Sequence, residues 1–107
     1  MWQKARLLTL AIYKSFAGCR DYGFRDQIQR AAVSTMNNIA EGYGRKSDKA
    51  FKNFLCIAKG SAVEVESMLS IASELRYVTA ADQAALSQQT VELIKFITAY
   101  NNKIPSN

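Results

Sequence analysis

The chain has no histidine, one proline, two cysteines and five glycines, and each scarcity narrows what the protein can be. Without histidine there is no Ser-His or Cys-His nucleophile pair, no imidazole general base, and none of the usual zinc or di-iron ligand sets. Carboxylates and lysines can still do chemistry, so a catalyst is not excluded, but the missing histidine makes it the less expected class, and no catalytic residue, metal or cofactor is expected. Cys19 and Cys56 lack metal or redox spacing, which makes a reduced cytoplasmic setting the default expectation. The single proline, Pro105, lies near the C-terminus, so long stretches run without a helix breaker, which favours helices over a many-turned β fold. No apolar run is long enough to span a bilayer, so no membrane partner is expected. The N-terminal MWQKARLLTLAIYKSF puts a basic residue ahead of an apolar stretch, as a signal peptide does. Arg6 interrupts it, and no small-residue cleavage site follows cleanly.

What is present describes an ordinary globular domain: 107 residues, 49% hydrophobic and 21% charged, room for one core and no second. Apolar residues recur at spacings of three and four in four segments, approximately 2–17, 24–41, 48–76 and 80–102. The first places Trp2, Ala5, Leu8, Ile12 and Phe16 on one face, and the second does so with Ile28, Ala32, Met36 and Ile39. Ser47 is the expected N-cap of the third, with Asp48 in its first turn where the helix dipole favours an anion. Its apolar face runs from Phe51 and Phe54 through Leu55, Ala58, Ala62, Val65 and Leu69 to Ala72. Thr79 to Asp82 resembles a capping box for the last helix, which is expected to bury Leu86, Leu93, Ile94, Ile97 and Tyr100. Amphipathic helices joined by short connections predict an all-α protein, an antiparallel up-down-up-down four-helix bundle filling residues 1–107.

A second row on the third helix lies opposite that core face. Cys56, Gly60, Val63, Ser67 and Ser70 follow one another at spacings of four and three, and the row is small or apolar where a solvated face would carry Lys and Glu. Gly60 costs about 1 kcal/mol relative to Ala in a helix interior, which suggests a packing reason. Leu7 and Leu10 give the first helix a similar surplus. Scattered apolar surface residues are common, but the same surplus on two helices points to self-association through these faces.

Charge is also uneven. Residues 1–60 hold eleven Lys or Arg against four Asp or Glu, and residues 61–107 hold three against five. Arg30, Arg45, Lys46, Lys49, Lys52 and Lys59 are the candidate phosphate contacts of a basic surface suited to RNA or DNA. No recognition-helix, zinc-finger or RNA-recognition signature accompanies them, so binding would be through phosphates and shape. An ordinary solvated face on a moderately basic protein accounts for the same charges.

Glu41-Gly42-Tyr43-Gly44 lies between two helices and lacks the spacing of a phosphate-cradling loop. It reads as a corner: Gly42 or Gly44 takes the left-handed conformation that ends the second helix, Tyr43 folds over the bundle end, and Glu41 pairs with Arg45. Glu64 and Glu66 are two apart on the third helix and project in different directions, so they cannot work as one acid–base pair.

The stretch QIQRAAVSTMNNIAEGYGR followed by FKNFLCIAKGSAVEVESML closely resembles the four-helix-bundle proteins of the 23S ribosomal RNA intervening-sequence family. Gln27, Ile28, Arg30, Ala31, Ala32, Ser34, Asn38, Ile39, Ala40, Glu41, Gly42, Gly44 and Arg45 match the first part of the family pattern. Phe54, Leu55, Ile57, Ala58, Gly60, Ser61, Glu64 and Glu66 match the second, and Trp2-Gln3-Lys4-Ala5 and Tyr77 extend the likeness over essentially the whole chain. Many relatives carry proline at the position of Met36 and glycine at that of Arg76; the first loss is expected to straighten the second helix and the second to leave the third without its left-handed cap. The resemblance implies a homopentameric ring and offers no catalytic residues. A related protein, the accessory variability protein of diversity-generating retroelements, works with a reverse transcriptase and its RNA. An accessory, protein-binding role beside such an enzyme is therefore the alternative to direct nucleic-acid binding.

Overall fold

The computed structural model describes residues 1–106, so Asn107, the last residue of the expected domain, lies outside them. Four helices follow in chain order: α1 (Trp2–Ser15), α2 (Tyr22–Tyr43), α3 (Asp48–Ala72) and α4 (Ala80–Lys103). Each packs on its neighbours in sequence and α4 closes back on α1, whereas α1 does not pack on α3, nor α2 on α4. The section is therefore a square with α1 and α3 on one diagonal, and the bundle is antiparallel, up-down-up-down. It measures 46 × 20 × 19 Å. One end holds the α1–α2 and α3–α4 connections and is called the loop end; the other holds the short α2–α3 turn and both termini, and is called the turn end.

The helix starts follow from their caps. Ser47 Oγ accepts from the Ala50 amide at 3.1 Å and Thr79 Oγ1 from the Asp82 amide at 3.0 Å, as the sequence predicts. Asp21 caps α2 in the same way, accepting from Phe24 N at 3.1 Å, and so α2 begins at Tyr22, earlier than the apolar periodicity indicates. Leu8, Ile12, Phe16, Ile28, Ile39, Leu55, Val65, Leu69, Leu93 and Ile97 fill the centre, with alanines between them letting the helices approach. Thr9 ties α1 to α2 by donating to the carbonyls of Ala5 at 2.8 Å and Ala32 at 3.2 Å.

Several expectations are corrected. Trp2 is exposed, because the first residue of α1 lies at the edge of the turn end, beyond the centre of the core. Ile94 is half-buried and Tyr100 is exposed. Helix α3 stops at Ala72, short of residue 76, and it does have a left-handed cap. Arg76 adopts φ 63°, with Tyr77 N bonding Ala72 O at 2.9 Å and Arg76 N bonding Ser73 O at 2.9 Å. These are the paired bonds of a Schellman motif, formed by an arginine where glycine is the unstrained choice.

Candidate nucleic-acid interface

The α2–α3 turn is where the predicted corner and the basic candidates meet. Neither glycine there is left-handed: Gly44 has φ −81°, and among the described residues no glycine has a positive φ. Gly42 sits inside α2, and a Cβ placed on it would lie 2.9 Å from Phe51 Cδ1 and 3.3 Å from Phe54 Cβ. This glycine is thus a close-approach residue that lets the start of α3 lie against the end of α2, not a helix terminator. The Arg45–Glu41 pair forms as expected, and the Arg45 guanidinium also lies 4.8 Å from the Phe54 ring centre. Tyr43 does fold over the end, its ring 5.2 Å from Phe51 and 6.4 Å from Tyr100.

The six basic candidates separate into four situations. Lys46 and Lys49 are exposed at the turn, beside the partly engaged Arg45. Lys52 is half-buried and donates from Nζ to the carbonyls of Asn101 at 2.9 Å and Ile104 at 3.1 Å. It closes the C-terminus of α4, where a cation opposes the negative end of the helix dipole. Arg30 lies thirteen residues before Tyr43 on α2, roughly 20 Å along the helix at 1.5 Å per residue, on a ridge between two shallow grooves. Lys59 is half-buried, about 15 Å along α3 from Lys49 on the same rise. The candidates therefore make no single cluster; the turn end holds the compact one. Sequence reasoning missed Lys103, which joins that end by lining a cleft of about 350 Å³ with Asp48, Phe51 and Tyr100.

The predicted association rows are open. Cys56, Gly60, Val63, Ser67 and Ser70 are all exposed along α3, and a Cβ on Gly60 would meet nothing within 4 Å. Nothing within the chain therefore calls for a glycine there. Leu7 and Leu10 are more than half exposed on α1, at 56% and 53%. Because α1 and α3 occupy opposite corners of the square, the two rows face in opposite directions.

Among the described residues no helix is long and apolar enough to cross a membrane, and no group of three or more Cys, Asp or Glu is placed to hold a metal ion.

The family described as 23S rRNA-intervening sequence protein matches residues 1–99. The chain belongs to this family. A solved structure from the S23 ribosomal protein family of Bacteroides thetaiotaomicron, described as a protein of unknown function, superposes with a TM-score of 0.87. The two are 24% identical, over 94% of this chain and 96% of that one, a likeness that supports the shared bundle fold. No curated protein matches the chain.

Several of the residues that carry the resemblance tie α2 to α3. Gln27 Nε2 donates to Glu64 at 3.1 Å, the Ser34 and Ser61 hydroxyls meet at 2.8 Å, and Asn38 holds Ser34 through its carbonyl at 2.8 Å. Gly42 against Phe51 and Phe54 completes the seam. Glu66 points the other way, accepting from Ser87 Oγ of α4 at 2.5 Å. The two glutamates thus bond opposite neighbours, one on α2 and one on α4, and do not converge on a common point.

Proposed function

We propose that this family member is a non-enzymatic helical bundle that assembles side by side into a ring and binds nucleic-acid phosphates through its basic surface. The observation that carries the binding half is the lack of internal partners for the cations. Among the described residues only Arg25 and Arg45 form ion pairs, so Arg30, Lys46, Lys49 and Lys59 have no carboxylate within 4 Å. Lys46 and Lys49, exposed on the turn end, are the leading phosphate contacts.

The assembly half is supported by the two open rows on opposite corners. If the row of one copy docks on the other row of the next, the contact is head to tail, and such contacts close into a ring when the rotation fits. Five copies is what the resemblance implies, and a ring multiplies a modest charge into a strong field.

Light scattering on the purified chain, with and without a structured RNA, tests both halves. The expected result is a pentamer-sized mass that grows on RNA addition and reverts with salt. With about four phosphate contacts per binding event, affinity should fall roughly a hundredfold from about 50 to 200 mM salt. A monomer would remove the ring, and a pentamer indifferent to RNA would redirect the search to a protein partner such as a reverse transcriptase.

A further inference from the structure

The turn end carries an aromatic platform as well as cations, and a purely phosphate-binding surface does not require one. Phe51 is the half-buried floor, with its ring 5.2 Å from Tyr43 and 6.0 Å from Tyr100. Both tyrosines are open, at 50% and 37% exposure. Lys46 stands on the turn that follows Tyr43, Lys49 in the first turn of α3, and Lys103 on the α4 side beside Tyr100. Arg45 does not cap this platform, since its guanidinium lies over Phe54.

The loop end makes the contrast. There the exposed Tyr22 has Arg25 stacked 4.8 Å from its ring centre, and Tyr77 donates its hydroxyl to Asp21 at 2.5 Å. Acidic Asp21, Asp26, Glu74 and Asp82 accompany the cations of that end.

We infer that the turn end binds single-stranded nucleic acid, with unpaired bases stacking on Tyr43 and Tyr100 while Lys46 and Lys49 hold the flanking phosphates. The inference rests on the phosphate-binding reading above and adds to it the strandedness of the ligand and the residues that select it. Stacking requires bases with free faces, which a duplex does not present, and it tolerates any sequence because every base has a π-face. Glu41 is neutralised by Arg45, whereas Asp48 remains in the cleft beside Lys103, so the strand's backbone runs on the Lys46–Lys49 side. Side-by-side association through α1 and α3 leaves the bundle ends uncovered, so each copy in a ring keeps its platform.

The test is fluorescence anisotropy on the full chain with a labelled oligouridylate of ~15 nucleotides and a strand of equal length and charge whose sites are abasic. The expected result is about tenfold tighter binding of oligouridylate, the effect of roughly one stacked base. Tyr43→Ala and Tyr100→Ala should each remove much of that difference while leaving the salt slope and the abasic affinity unchanged; Tyr43→Phe and Tyr100→Phe should retain it. Lys46→Ala and Lys49→Ala should weaken both strands and lower the salt slope by about one each. Equal affinity of the unaltered chain for the two strands would overturn the stacking inference and leave the phosphate reading standing, a comparison that needs no variant to fold. Failure to bind either strand at low salt would overturn both.

Discussion

Phe16, Phe24 and Tyr77 at the loop end, and Phe51, Tyr43 and Tyr100 at the turn end, are aromatic trios of similar spacing. Ring centres are 5.0 to 5.9 Å apart in the first and 5.2 to 6.4 Å in the second. Their finish differs. At the loop end the innermost ring, Phe16, is wholly buried, and the outermost has its hydroxyl bound to a carboxylate. At the turn end the deepest ring is only half-buried, and two tyrosines remain open beside lysines. Aromatic residues that close a core and aromatic residues left open to solvent can thus look alike in sequence; burial and neighbouring charge separate them.

The largest test of this contrast is truncation at each end. Phe16→Ala should cost about 3–5 kcal/mol in chemical denaturation, because it removes a fully buried ring and leaves a cavity. Tyr43→Ala should cost only about 1 kcal/mol, the scale of an aromatic pair contact on a half-exposed residue. Equal costs at the two ends would mean that the turn-end trio is core, which would remove the structural basis for an open platform.

Next in size is Gly42→Val. The added side chain would push on Phe51 and Phe54, and overpacking of this kind costs about 1–3 kcal/mol. Gly60→Ala is the natural companion, since its Cβ meets open space within the chain. It should raise monomer stability by up to about 1 kcal/mol through helix propensity. If α3 packs on another copy at that point, the same change should weaken assembly, which light scattering would detect.

Arg76→Gly sharpens the comparison from the loop end. A non-glycine residue in the left-handed region carries about 1–2 kcal/mol of strain. Glycine also gains freedom in the unfolded chain, which offsets part of that relief. The net expectation is about 0.5–1 kcal/mol of stabilisation, read as a higher thermal midpoint. A lower midpoint would mean that the arginine side chain contributes more than its backbone strain costs.

These residues also show what was legible from the sequence. The four helices, the Ser47 and Thr79 caps and the Glu41–Arg45 pair depend on residues close in the chain, and local pattern finds such features. Asp21 was missed because Tyr22 and Gly23 are poor guides to a helix start, although a capping residue three before Phe24 was available as a signal. Gly42 was misread because a glycine near a helix end usually terminates it, and its actual constraint comes from Phe51 across the turn. Lys52 looked free because its acceptors, Asn101 and Ile104, lie on another helix. The turn-end platform was invisible for the same reason, since Tyr100 meets Tyr43 and Phe51 only after α4 returns.

The smallest expected effect concerns pH, and its acid side belongs to the loop end. The Tyr77 hydroxyl bond lowers the Asp21 carboxyl from its ordinary value, with help from the Phe24 amide, and the same bond raises Tyr77 to about 12. For Asp21, whose folded value is depressed, the contribution to stability is present above the ordinary carboxylate range and disappears as pH falls through the folded value. For Tyr77, whose folded value is raised, it is full below about 10 and disappears as pH rises through about 12. Tyr77→Phe should therefore flatten both limbs of a thermal midpoint against pH profile while leaving the helical spectrum unchanged. Both groups face solvent, so the changes should be small and should shrink further as salt screens the charge. Tyr43→Phe, at the turn end, has no carboxylate partner to lose and should leave the acid limb as it is. An equal loss of acid dependence from Tyr43→Phe would mean that the two ends are not electrostatically distinct.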